Sequence, residues 1–473
     1  MLTKNIFLGR WHKGLIPPRA VAWMIGVSTL ILFAASSLRH ILFQSTAFDL
    51  GIFDQATYLI SQGQNPISSF IGFHIFGDHA AWIFYPLAVF YKIYPSVYWL
   101  FAIQASSLSL GALPTYYLAI AAGLKESQAM AMGVVYLLYP VVFNANLFDF
   151  HPEVIAVPLL LSAILAARER KIVWFCLSMI LVLGCKAVLS LTVVAMGFYL
   201  LLCEKRRLFG AIAIFLGVSW FLIATQIIIP VFSGREAAAV GRYSYLGNSV
   251  FEIFKNLIFN PVIILENLFS LDNFGYLILL FIPIVWGFSS ASLKPLIPAI
   301  PCIVINFLAD YQAQKDLVHQ YSLPALPFLI LAVIASLAVG KGWLQHRRGI
   351  IIWSLIAFLC LAKFTHFGGR YLRYLDNLQA TQQAVSLVSP QGGVYTTSQI
   401  SPHLSHRKLI KFTDASSPAI DLHIFDYVLL NVRHPGWGSN EAFANSLVNK
   451  LKSEPRFKLQ FQSDDVYLFN KHL

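Results

Sequence analysis

Phe48-Asp49-Leu50-Gly51-Ile52-Phe53-Asp54-Gln55 follows directly on the first long apolar run, 21–38, and places two carboxylates at its mouth. An apolar run of that length is a candidate membrane span. A carboxylate at membrane depth is costly unless it faces a protein cavity or water, so the motif is either a solvated turn past a helix end or a functional site. Two more acidic stretches, Asp78-His79 and Asp149-Phe150-His151-Pro152-Glu153, fall on the same side of the bilayer in the topology derived below, and they favour a site.

The surroundings are membrane throughout. Hydrophobic residues make up 57% of the 473 and charged residues only 12%, whereas an ordinary soluble chain is roughly a quarter charged. The chain reads as an α-helical polytopic membrane protein with about eleven spans, near 20–38, 97–121, 128–145, 153–167, 172–185, 188–203, 208–229, 276–291, 295–309, 321–340 and 349–364. The two around Lys186 read equally as one broken helix. No small-residue cleavage signature follows 21–38, so that run is expected to be retained.

A net charge of +12 raises the question of nucleic acid, but the basic residues sit in short clusters between apolar runs, as the positive-inside rule places them. With a cytoplasmic N-terminus the inside segments hold Lys4, Arg10, Lys13, Arg19, Lys125, Arg168, Arg170, Lys171, Lys205, Arg206, Arg207, Lys294, Lys341, Arg347 and Arg348. The longer outside loops before residue 366 hold only Arg39, Lys92, Lys186, Arg235, Arg242, Lys255 and Lys315. The charge thus reports topology in a cell (inner or plasma) membrane, and no nucleic-acid partner is expected. Most acids lie outside, among them Asp49, Asp54, Asp78, Asp149 and Glu153. Any carboxylate chemistry then belongs to the extracytoplasmic face.

Domain organisation follows. Residues 1–365 form the transmembrane part, with long outside loops at 39–96 and 230–275; within them 80–94 and 251–269 suit helices lying at the interface. Residues 366–473 contain no apolar run of membrane length. A helix-like segment (371–388) and strand-like runs at 394–397, 427–432, 457–461 and 466–469 predict a small extracytoplasmic α/β domain. Its basic loops, Pro402-His403-Leu404-Ser405-His406-Arg407 and Arg433-His434-Pro435-Gly436-Trp437-Gly438, read as solvated surface. The five cysteines show no paired spacing, so neither a disulfide framework nor a zinc site is expected.

The 48–55 motif, Gly77-Asp78-His79 followed by Pro86, the 149–153 motif, His319-Gln320-Tyr321 and the 402–407 motif together resemble the DUF2079 family of predicted bacterial membrane proteins. Those proteins are in turn similar in layout to GT-C glycosyltransferases, integral enzymes that transfer sugars from polyprenyl-phosphate carriers on the outer face of the membrane. The resemblance implies a polyprenyl-phosphate sugar as donor and a lipid, glycan or protein as extracytoplasmic acceptor. One departure is local: where the family tends to carry a Lys followed by acids, this chain has Lys186-Ala187-Val188.

Such a transfer asks for a carboxylate to take the acceptor proton and for cations to meet the departing phosphate. The resemblance places the base in the first outside loop, with Asp49 as base and Asp54 as second carboxylate or metal ligand. On a regular helix, five residues set the two about 140° apart, so sharing one site needs a turn at Gly51. The cation candidates are Lys186, Arg235 and Arg242, although a lysine at a span end also snorkels. Asp78, His79, His151 and Glu153 are candidate substrate contacts, and with Asp49 or Asp54 they would make a site for a divalent cation, Mg or Mn. His319 and Gln320 are further substrate-contact candidates. Two rival readings use the same residues: a transporter or flippase for a lipid-linked substrate, and a non-catalytic membrane receptor or assembly protein.

Overall fold

The computed structural model describes residues 18–472; Lys4, Arg10 and Lys13, which entered the topology argument, lie outside the described residues. The chain is mostly helical up to residue 386 and ends in a small sheet. Among the described residues, three helical stretches are long and apolar enough to cross a membrane: Arg19–Ile41, Glu126–Phe148 and Arg207–Ser233. A fourth candidate is Arg347–Leu361 with Phe364–Ser386, bent by 42° at the break. The other apolar helices are shorter, at Ile172–Cys185, Leu189–Cys203, Leu271–Gly287, Lys294–Leu308 and Leu326–Ala338.

The expectation of about eleven spans therefore meets three or four of full length. Proline explains part of the difference, because the residue before it avoids the α region and its ring evicts a helical hydrogen bond. Tyr139, ahead of Pro140, sits at φ −69° and ψ 123° and interrupts the helical backbone inside Glu126–Phe148, which still has full length. Pro283, Pro295 and Pro298 lie in tight 3₁₀ turns at Ile282–Gly287 and Lys294–Ala299. Around Lys186 the chain is broken: Lys186 is extended (φ −164°, ψ 138°) between Ile172–Cys185 and Leu189–Phe198.

Outward faces of the long helices are apolar and bare. Trp23 and Leu30 on the first, and Phe215 and Leu222 on Arg207–Ser233, are more than half exposed, a surface that only a non-aqueous solvent leaves uncharged for. Inside the bundle, close approach replaces bulk: Gly197 and Gly210 face one another so tightly that a Cβ on Gly210 would lie 2.7 Å from the Gly197 carbonyl oxygen. Small residues at such a crossing are how membrane helices pack without a hydrophobic driving force.

Of the two loop helices expected at the interface, the first is observed as Phe84–Ile93 and the second as Val250–Phe259 followed by Pro261–Leu268. A further contact fixes the first loop. The turn after Ile172–Cys185 is stitched to it by Ile83 N–H on the Gly184 carbonyl (3.0 Å) and Ala187 N–H on the His79 carbonyl (3.0 Å). A Cβ at Gly184 would lie 2.4 Å from the Trp82 indole, so Gly184→Ala is expected to lose about 1–3 kcal/mol of stability by overpacking. Thermal unfolding in detergent checks this against Gly26→Ala, where nothing lies within 4 Å.

The terminal sheet has the order 410–412, 394–396, 427–431, 466–471, 457–463. The first three strands are parallel (Val394 beside Ile410 and Tyr427), the rest antiparallel (Val428 beside Phe469). Helix Leu378–Ser386 packs through Ala380 and Ala384 with Val394, Leu429 and Leu468, while Glu441–Ser453 packs through Ala444, Val448 and Leu451 with Val428, Leu430 and Phe469. A sheet with helices packed on it in this way needs apolar residues on both faces, which the burial of Val394, Tyr395 and Thr396 reflects. Strand Ile410–Phe412 and helix Glu441–Ser453 were not expected from the sequence.

Candidate functional site

Asp49 stands at the centre. Its backbone (φ 65°, ψ −90°) lies in a region that residues other than glycine avoid, between an extended Phe48 (ψ 149°) and helix Ile52–Ser61. Such conformations cost of order 1–3 kcal/mol and persist only where surrounding contacts impose them. The contacts are visible. Asp149, at the end of Pro140–Phe148, accepts the Arg39 guanidinium on both oxygens, together with the Thr46 N–H (3.3 Å) and hydroxyl (3.0 Å). The same Thr46 hydroxyl lies 2.7 Å from the Phe48 carbonyl. Asp149 is thus occupied in clamping the turn that presents Asp49.

The Asp49 carboxylate, a third exposed, lies 3.1 Å from Nε2 of buried His151. The other ring nitrogen of His151 faces the Asp149 carbonyl at 3.1 Å. Nδ1 thus meets an acceptor, and Nε2 lies at ion-pair distance from Asp49 without hydrogen-bond geometry, a setting that favours the protonated ring. Burial pulls His151 down, but Asp49 outweighs it and the net shift is upward. Burial pushes Asp49 up, His151 opposes it, and the carboxyl ends below its ordinary range. Both shifts favour the ion pair.

Beside it lies a second pair. Lys186 Nζ donates to Glu153 Oε1 at 2.6 Å, and Glu153 Oε2 is buried with no partner among the described residues. The stitched turns bring Asp78-His79 to this pair, with His79 Nε2 3.3 Å from Asp78. Arg242 completes the group: its guanidinium lies over Tyr311 (4.9 Å) and Tyr321 (5.1 Å) and donates to Gln314 (2.9 Å). Lys186 and Arg242 both act on Asp78 and His79, while Asp49 and Glu153 act on Asp78. These groups form one electrostatic centre.

Burial, with Asp49 and Glu153 adding to it and Lys186 opposing, pushes Asp78 up to about 6. A raised folded-state value means that this group's contribution is fully present below about 4 and is lost as pH rises through about 6. Relative to Asp78→Asn, the parent is expected to gain on the order of 2–3 kcal/mol between pH 7 and pH 4. Denaturation midpoints of both proteins across that range check the sign.

Other expected site residues lie elsewhere. Asp54 does not join Asp49: it is fully buried and accepts from the Tyr91 hydroxyl (2.5 Å), the Ser405 hydroxyl and His406 Nε2 (3.1 Å). With its oxygens taken it is not placed as a second catalytic carboxylate or an open metal ligand. The cause is the 402–407 segment, which is not the solvated surface expected of it. Pro402, Leu404, Ser405 and Arg407 are buried, His403 stacks on His40 (3.9 Å) and His406 on Tyr58 (4.6 Å). Gln55 and Ser69 bind the backbone of Arg407 and Ile410 at 2.9 and 2.7 Å. The acidic motif therefore faces two ways, Asp49 into the centre and Asp54 into the docked sheet domain.

Arg235 is exposed and lies over Phe73 (5.1 Å), apart from the centre. His319 pairs with Asp316 (2.9 Å) and meets Phe148 edge-on (4.4 Å), which in turn stacks on His151. Gln320 is buried, with its Oε1 unpartnered among the described residues. Sequence reasoning passed over the Arg39–Asp149 clamp and Tyr321; the only signal for the latter was its place beside His319-Gln320. Among the described residues no three His, Cys, Asp or Glu side chains are grouped to hold a metal ion.

Residues 39–468 match the family described as "Predicted membrane protein (DUF2079)". The chain belongs to the DUF2079 family. No curated protein matches it. In fold this DUF2079 protein is similar to the crystal structure of ArnT from Cupriavidus metallidurans bound to undecaprenyl phosphate, at 13% identity and TM-score 0.54, covering 95% of this chain and 97% of ArnT. It is equally similar to apo ArnT from the same organism (12%, TM-score 0.54, 96% and 98%). The DUF2079 chain is a membrane protein with an ArnT-like fold.

Proposed function

We propose that this protein is an integral-membrane glycosyltransferase that takes a sugar from a polyprenyl-phosphate donor and passes it to an extracytoplasmic acceptor. One observation supports the reading above the rest: in a fold like that of ArnT, whose structure holds undecaprenyl phosphate, a strained, ionised Asp49 shares a centre with the half-buried cations Lys186 and Arg242. In the proposed step the acceptor hydroxyl oxygen bonds to the anomeric carbon while the bond from that carbon to the phosphate oxygen breaks. The electron pair leaves with the phosphate, towards Lys186 and Arg242, and the hydroxyl proton passes to Asp49. Positive charge at the departing oxygen and a base at the attacking one are what the step demands.

The departure at Lys186-Ala187-Val188 is compatible with this, because Glu153 supplies the acid that neighbours Lys186 in space. Asp78 and His79 would offer at most two donors to a Mg or Mn ion, whose other ligands would come from the donor phosphate. Sidedness is part of the proposal. The centre lies where helix Glu153–Arg168 begins, while Arg168, Arg206 and Glu204 close the other end, and the positive-inside rule makes that second end cytoplasmic. The division at 365/366, with the sheet domain outside, follows from it.

The test is consumption of a polyprenyl-phosphate sugar by the purified protein in detergent. Release of polyprenyl phosphate with a glycosylated product is expected. Binding of the donor without turnover, across a panel of lipid and glycan acceptors, would favour a flippase instead.

A further inference from the structure

The first loop and the sheet domain meet in an aromatic corner that the chemistry above leaves unused. The Phe48 ring stands edge-on to Trp437 (5.3 Å, 84°) and to Phe412 (5.3 Å, 75°), and Phe412 lies 6.0 Å from Trp437. Trp437 is 60% exposed and Phe48 39%.

The loop that carries Trp437 is built to hold it there. Gly436 (φ 87°) and Gly438 (φ 82°) flank it, both in a conformation other residues rarely adopt. The Gly438 carbonyl accepts the Ala415 N–H at 2.7 Å. A Cβ on Gly436 would come 2.3 Å from Gln399 Oε1, so the backbone is pressed against its support. A fixed loop that keeps an indole in water forgoes the burial such a side chain normally gains.

Phe48, one wall of the corner, is the residue before Asp49 in the chain. Its rim is polar: Asp414, hydrogen-bonded by Ser416 and Ser417, lies against Gly438. A lipid chain would ask for a continuous apolar groove. A pyranose instead presents one apolar C–H face and a ring of hydroxyls, and its slightly positive C–H hydrogens suit the negative face of an aromatic ring.

We infer that Phe48, Phe412 and Trp437 form the acceptor subsite and that the acceptor presents a hexopyranose there, its C–H face on Trp437 and a hydroxyl towards Asp49. Calling this sugar the acceptor rests on the transferase reading; its binding at the corner does not.

The experiment is saturation-transfer NMR with the methyl glycosides of glucose, galactose and mannose, on full-length protein in an amine-oxide detergent without donor. Transfer to the ring C–H protons of at least one glycoside is expected. It should fall about fivefold in Trp437→Ala and be largely kept in Trp437→Phe. Signals absent from all three glycosides, or equal in parent and Trp437→Ala, would overturn the subsite. So would brominated phospholipid in nanodiscs quenching the fluorescence that parent has over Trp437→Phe, which would make Trp437 a headgroup anchor. Because no turnover is read, a protein that binds the glycoside but never transfers sugar refutes only the transferase reading.

Discussion

Asp49→Asn is expected to lower kcat for sugar transfer by about 10²–10⁴-fold, the usual worth of a positioned general base, with little change in KM for the donor. Asparagine has nearly the same shape and tolerates a positive φ better than most residues, so the strained turn at φ 65° should survive. It cannot take the acceptor proton. His151, whose titration is raised chiefly by Asp49 against the pull of burial, should then titrate lower, and NMR of the ring reads that shift even in an inactive protein. Asp54→Asn provides the contrast. Its carboxylate meets three donors in a fully buried place, and an amide oxygen cannot replace two carboxylate oxygens there. A loss of about 2–4 kcal/mol is expected, with a kcat effect far smaller than that of Asp49→Asn. Equal kcat losses from the two substitutions would remove the distinction between them.

That contrast marks what the sequence made legible. Charge at membrane depth needs a reason, and this rule, with the family resemblance and the needs of the transfer step, singled out Asp49, Asp78, His151, Glu153 and Lys186, which the fold draws into one centre. It could not separate Asp49 from Asp54. Their facing depends on one backbone torsion imposed by Arg39, Asp149 and Thr46 from two other segments, and no local pattern encodes that. The 402–407 segment misleads for a related reason: a His- and Arg-bearing loop has the same composition whether it faces water or a buried carboxylate. The count of about eleven spans is not reproduced where proline and 3₁₀ turns cut apolar runs into pieces, across 282–299. In the sheet domain, strands such as 427–431 showed their apolar run, whereas in Ile410–Phe412 the middle residue is Lys411, which interrupts any such run.

Lys186→Met should weaken binding of polyprenyl phosphate by about 10–100-fold, the worth of one charge-assisted contact, but a drop alone would not prove contact. The substitution also strands Glu153, whose Oε1 lies 2.6 Å from the lysine and whose Oε2 has no partner among the described residues. Breaking a buried ion pair from one side typically costs about 3–5 kcal/mol, whereas replacing both partners by neutral groups of similar size is often harmless. The double variant Lys186→Met, Glu153→Gln therefore separates the two roles. Its thermal stability should return most of the way to the parent, because no uncompensated charge remains. Its affinity for polyprenyl phosphate should stay low, because the cation facing the phosphate is still missing while Arg242, held by Gln314 and two tyrosines, is untouched. If affinity recovers together with stability, Lys186 only neutralises Glu153, and the departing phosphate must be met by Arg242 alone.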